Sequence, residues 1–158
     1  MLEFFSPKVE RMRRKRDVAG LIAALRDGSP RVRRAAANAL VEIPDRRTPE
    51  PLIAALADTD PAVRANAALA LGELEDARPD TPLAVIVDPL VASLGDESPS
   101  VRAMAASALA RMKDPRAVEP LVGLLDDESE LVRQTARSVL RGFDDPRANE
   151  ALGTAPLS

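Results

Sequence analysis

Four stretches of the chain repeat one outline: an apolar Leu, an acidic loop, Val-Arg, and an Ala-rich run ending in Leu. They are LRDGSPRVRRAAANAL (residues 25–40), LADTDPAVRANAALAL (56–71), LGDESPSVRAMAASAL (94–109) and LDDESELVRQTARSVL (125–140). A unit that recurs in tandem cannot bury its apolar face alone, so neighbouring copies must stack and share a continuous core. That requirement restricts the chain to an array of like modules before any single residue is weighed.

The register is set by Arg33, Arg64, Arg102 and Arg133, which lie 31, 38 and 31 residues apart. Offsets −1, +3, +6, +7 and +10 from each Arg are apolar, from Val32, Ala36, Ala39, Leu40 and Ile43 in the first unit to Phe143 in the last. At about 100° per residue these offsets share one side of a helix. The stretch before each loop reads as a second helix, as in PEPLIAALAD (49–58) and PRAVEPLVGLLDD (115–127). Ser29-Pro30, Asp60-Pro61, Ser98-Pro99, Asp114-Pro115 and Asp145-Pro146 pair an N-cap residue type with a proline at the first helical position, where no N–H is needed. The expected fold is therefore all-α: a solenoid of about four stacked αα-hairpins.

Composition fits this architecture. The apolar content is carried by Ala, Leu and Val, with three Phe and neither Trp nor Tyr. Small residues let helices approach closely. Cysteine is absent, which removes disulfides and thiol chemistry. No apolar run reaches the length of a membrane span, and the N-terminus places Leu2, Phe4 and Phe5 before its charges, the reverse of a secretory signal. The cytoplasm is the default compartment.

The core Asp-x-x-x-x-Val-Arg-x-x-Ala-x-x-Ala-Leu, clearest from Asp96 to Leu109, is followed by Asp-Pro-Arg-Ala at residues 114–117 and again at 145–148. This pattern resembles HEAT repeats of the phycobilisome-lyase type over about residues 17–152. The resemblance implies a curved array, with the first helix of each pair outside and the second lining the concave face. It also implies structural roles for the pairs Asp27/Arg33, Asp58/Arg64, Asp96/Arg102 and Asp127/Arg133. The expected organisation is a basic capping helix over 1–16 and HEAT-like units near 17–44, 45–76, 77–113 and 114–144. A half-unit over 145–152 and a flexible tail over 153–158 follow.

Two departures from the repeat stand out. Between units two and three the period lengthens through ARPDTPLAVIVDP (77–89), with Thr81-Pro82 as a helix start. This insertion reads either as extra helix packed on the array and kinked at Pro89 or as a projecting apolar ridge. At the N-terminus, KVERMRRKRD (8–17) follows Ser6-Pro7. Its Val9 and Met12, with Phe4 and Phe5, cover the flank of unit one, or the basic helix instead meets an anionic membrane or an acidic protein.

Charge is divided along the chain. Residues 1–47 carry net +6 and residues 48–158 net −9, so a stacked array becomes an elongated dipole that steers acidic partners to one end and basic partners to the other. Weak head-to-tail self-association is a second consequence.

Offsets +1, +4, +5 and +8 point away from the apolar stripe and define the expected concave surface. They are Arg34, Ala37, Asn38 and Val41; Ala65, Ala68, Leu69 and Gly72; Ala103, Ala106, Ser107 and Ala110; and Gln134, Arg137, Ser138 and Arg141. The middle of this strip is uncharged, as a groove for a partner helix or extended segment would be; Ala's helix propensity explains the same composition.

Catalysis has little to work with. The chain contains no His, which removes imidazole bases and imidazole metal sites. The lysine hydroxylases of the family use His-Glu iron ligands that have no counterpart here. A bilin pocket lacks its expected aromatic, Cys, His or Tyr groups, and base-flipping glycosylase chemistry lacks its aromatics. Nucleic-acid binding lacks a basic face with stacking residues. The carboxylates Asp126, Asp127, Glu128 and Glu130 crowd one turn, as a solvated charge run does. No catalytic, cofactor or metal residue is assigned. The expected function is a non-enzymatic scaffold for a protein partner, with two alternatives: a lyase-like subunit of a tetrapyrrole system, or a peripheral membrane adaptor.

Overall fold

In the computed structural model, residues 6–74 and 82–153 are described, and they form an all-helical succession of paired helices. The capping helix α1 spans Pro7–Arg14. Unit one is α2 (Val18–Ala24) and α3 (Pro30–Val41), unit two α4 (Pro49–Ala55) and α5 (Pro61–Gly72), unit three α6 (Leu83–Ser93) and α7 (Pro99–Met112). Unit four is α8 (Val118–Gly123) and α9 (Glu130–Leu140), with short 3-10 segments on both sides of α8, and α10 (Pro146–Ala151) opens a further unit. Phe4, Phe5, Thr81 and all but the first residue of the 153–158 tail lie outside the described residues.

The apolar offsets build the core. Ala36, Leu40 and Ile43, Val63, Ala67 and Leu71, Val101, Ala105 and Leu109, and Val132, Ala136 and Leu140 are all buried, as is Phe143. Val32 alone among these positions is half-buried. First helices supply Leu21, Leu52, Leu90 and Leu121, each fully buried. Transfer of side chains this size is worth about 1.5–3 kcal/mol each. α1 packs on α2 and α3 through buried Val9 and is tied to unit one by Arg13, which donates to Glu42 at 2.6 Å.

Starting turns differ from expectation in their chemistry. Asp60, Asp114 and Asp145 accept N–H bonds two residues ahead, from Ala62, Arg116 and Arg147. Ser29 and Ser98 sit at the N-cap with Pro following, yet their hydroxyls make no cap bond. Their own N–H groups donate instead to Asp27 and Asp96, so the loop aspartates organise these turns.

The LAVIV segment is the first part of α6. Ile86 and Val87 are buried and Val85 is exposed, so this stretch packs on the array along one side. Pro51, Pro89 and Pro120 precede the equivalent core leucines. Pro51 and Pro120 fall in the first turn of their helices, but in α6 the inserted residues place helix ahead of Pro89. A proline there leaves one upstream carbonyl without its helical donor.

Candidate interaction surface

The stacking of second helices determines which residues are available to a partner. α5 packs extensively on both α3 and α7, and α7 on α9, whereas α4 meets α6 only sparsely. The layer of second helices is thus the more closely packed one. Close approach has a specific cause at Gly72: a Cβ there would stand 2.8 Å from the Ala108 Cα. Only glycine admits that separation between α5 and α7.

Repeat-to-repeat contact also uses charge. Arg33 donates to Asp58 at 2.7 and 3.0 Å, Arg64 to Asp96 at 2.8 and 2.9 Å, and Arg102 to Asp127 at 2.9 and 2.7 Å. The same guanidiniums bridge back to the carbonyls of Asp27, Asp58 and Asp96 in their own loops. Each Arg therefore joins its own loop to the aspartate of the following unit, one unit forward of the pairing expected from sequence. Asp27/Arg33, Asp58/Arg64, Asp96/Arg102 and Asp127/Arg133 meet only through backbone carbonyls. Arg133 pairs instead with Glu130 of its own helix.

These planar bidentate contacts are charge-assisted. The Arg102 guanidinium beside Asp127 holds that carboxyl below its usual value despite burial. At Asp58 and Asp96, burial raises the carboxyl, but the guanidiniums of Arg33 and Arg64 together with backbone N–H donors outweigh it and leave the value lowered. A second clip repeats at the start of first helices, Asp45 with Arg47, Asp114 with Arg116 and Asp145 with Arg147. The Arg47 bonds hold Asp45 at about 2.

Several residues expected on the concave surface lie inside these joints. Ala65, Ala68, Gly72, Ala103 and Ala106 are buried, as is Ala37, because offsets +1, +4 and +8 face the next repeat. Arg34 donates to Asp60 at 2.7 Å and so serves the joint as well. Val41 and Ala110 are half-buried against the core. Leu69 and Ser107 are half-exposed and Asn38 and Ser138 exposed. Gln134, Arg137 and Arg141 are exposed on α9, and Gln134 donates to Glu130.

The solvent-facing row runs instead along offsets +2 and +5. It comprises Asn38 on α3, Asn66 and Leu69 on α5, Met104 and Ser107 on α7, and Thr135 and Ser138 on α9, all half-exposed or exposed. Asn66, Met104 and Thr135 were not singled out by the sequence pattern. The Ser107 and Thr135 hydroxyls donate to carbonyls of their own helices, which leaves the asparagine amides and the exposed Ser138 hydroxyl as the row's outward donors and acceptors. Glu42, Glu73 and Arg111 border it, Glu73 and Arg111 paired at 3.2 Å. Among the described residues no group of His, Cys, Asp or Glu has the arrangement to hold a metal ion, and no helix is long and apolar enough to cross a membrane.

Stacked αα-hairpins define an α-solenoid of the HEAT and armadillo class. The HEAT-repeat profile matches residues 18–88 and 87–155, and the chain belongs to that family. Its fold is similar to a designed armadillo repeat protein at a TM-score of 0.62, with 22% identity over 92% of this chain and 73% of that one. A designed armadillo repeat protein in complex with the peptide (KR)4 has a TM-score of 0.64, 22% identity, and coverage of 92% and 72%. An engineered protein reaches 0.65 at 27% identity, covering 87% of this chain and 67% of its own. No curated protein matches the chain in sequence.

Proposed function

We propose that the protein is a non-enzymatic scaffold that holds a protein segment across the second-helix face. The observation that carries this reading is the uncharged row from Asn38 to Ser138, spanning four consecutive second helices. Solvent-facing helix positions kept only for solubility carry Glu, Lys or Arg, and these do not. Amide side chains at Asn38 and Asn66 suit an extended backbone, and Leu69 and Met104 offer apolar contact at the centre. The net −9 over residues 48–158 favours a segment with basic flanks. A structurally similar designed repeat protein is in complex with the basic peptide (KR)4, which supports the same use of this architecture.

Selection of a displayed peptide library on the protein tests the reading, followed by anisotropy titration of the winners. Leu69→Glu and Met104→Glu, each confirmed folded by circular dichroism, are expected to weaken binding by about tenfold or more, the scale of losing one central contact. Winners that bind both variants as tightly as the parent would place the working surface elsewhere. The lyase-type and membrane alternatives rest on the repeat motif and on the basic α1.

A further inference from the structure

We infer that the forward face of α9 is a second docking site, for an acidic amphipathic helix of a partner protein. This site is separate from the uncharged row and does not depend on it. The internal joints show what such a face receives. In units one to three, the series at offsets 0, +4 and +8 reads Arg33-Ala37-Val41, Arg64-Ala68-Gly72 and Arg102-Ala106-Ala110. There the Arg takes an aspartate from the next unit, Ala37, Ala68, Gly72 and Ala106 are buried, and Gly72 lies against Ala108 of the next second helix.

In unit four the series reads Arg133, Arg137 and Arg141. α10 packs on α8, and among the described residues Arg137 and Arg141 of this face are exposed. Between α9 and α10 lies a cavity of about 540 Å³. Val122, Leu125 and Leu152 line it, Arg137 and Arg141 form one wall, and Asp126 is the acidic residue among its lining. Among the described residues, no carboxylate is in ion-pair contact with Arg137 or Arg141.

A helix is the occupant because a helix fills the corresponding place on α3, α5 and α7. It must be acidic because two guanidiniums one turn apart replace the small residues, and it must carry an apolar side chain for the cavity. The head of a second copy is the poorer occupant, since α1 covers the flank of α2 and α3 and presents further basic side chains, Arg11 and Arg14 among them, to the two guanidiniums. The acidic field of the later units does not oppose docking at close range, because exposed charges are screened beyond about 8 Å at physiological ionic strength.

The test is selection from a displayed library of helices that vary Glu, Lys and Ala on one face and Leu, Val and Ala on the other. Acidic amphipathic helices should be enriched. Their affinity, measured by anisotropy, should fall at least about tenfold in Arg137→Glu/Arg141→Glu, as reversal of contacting charges does, and stay unchanged in Leu69→Glu. Both variants alter exposed or half-exposed positions, and their unfolding midpoints confirm that the fold is kept. Enrichment of basic or uncharged helices, no enrichment, or winners indifferent to the double charge reversal would overturn the assignment. So would sedimentation showing that this face pairs two copies of the chain.

Discussion

The joint between units three and four makes the strongest claim on stability, and Arg102→Ala tests it. The Arg102 side chain is 8% exposed and that of Asp127 9%, so the substitution strands a carboxylate that water barely reaches. Asp127 would retain one donor, the Ser129 N–H at 2.8 Å, and lose both guanidinium bonds. The Asp96 and Glu97 carbonyls would lose theirs as well. Breaking a buried pair by removing one partner costs about 3–5 kcal/mol, a large part of the roughly 10 kcal/mol typical of a domain this long. Urea unfolding followed by circular dichroism measures the loss, and thermal scans should show a fall of about 10 °C.

Hydrogen exchange adds a spatial readout. Because repeats contact only their neighbours, protection should drop in α9 before α3. Arg102→Met combined with Asp127→Asn keeps an acceptor for Ser129 and removes the stranded charge, so it should be more stable than Arg102→Ala. A cost for Arg102→Ala below about 1 kcal/mol, the worth of an exposed pair, would refute the reasoning. A double variant no better than the single would refute it equally.

Further predictions concern packing and pH. Gly72→Ala should destabilise by about 1–3 kcal/mol because its Cβ meets α7, while Gly123→Ala, with nothing within 4 Å of the new Cβ, should be neutral or stabilise by up to about 1 kcal/mol; urea midpoints compare the two. Ala106→Glu, which drives a carboxylate into a fully buried position, should abolish cooperative folding by circular dichroism, whereas Leu69→Glu should not. The carboxyls of Asp45, Asp60, Asp114 and Asp127 are held low in the folded state by their arginine partners. Their contribution is therefore present above the unfolded value near 3.9 and lost as pH falls from about 4 toward 2, so the urea midpoint should drop across that window.

The helical period alone located the apolar stripe, because the stripe is buried in the same way in each unit and that environment repeats. The period carried no information on the remaining sides of a second helix. In a stack those sides meet the preceding unit, the following unit and solvent, and Ala suits each of them. Ala68 and Ala106 therefore read as a groove lining although they are joint residues. The contrast between Ala106-Ala110 and Arg137-Arg141 was the available signal, since α9 alone among the four repeated second helices carries long charged side chains at those offsets. The arginine partner was illegible for a related reason. Asp96 and Arg102 are neighbours in sequence, but Asp96 turns to the Ser98 N–H and to Arg64 of the unit before.

Because Arg33, Arg64 and Arg102 each reach forward to the same kind of loop aspartate, each internal joint is one plug meeting one socket, whichever units it connects. Whole units are then interchangeable parts. Excision of residues 96–126 would bring Asp127 to Arg64 in the place of Asp96, and duplication would add a further plug and socket of the same kind. The reach of the second-helix face can thus lengthen or shorten in steps of one unit, with the length of the segment it grips following in register.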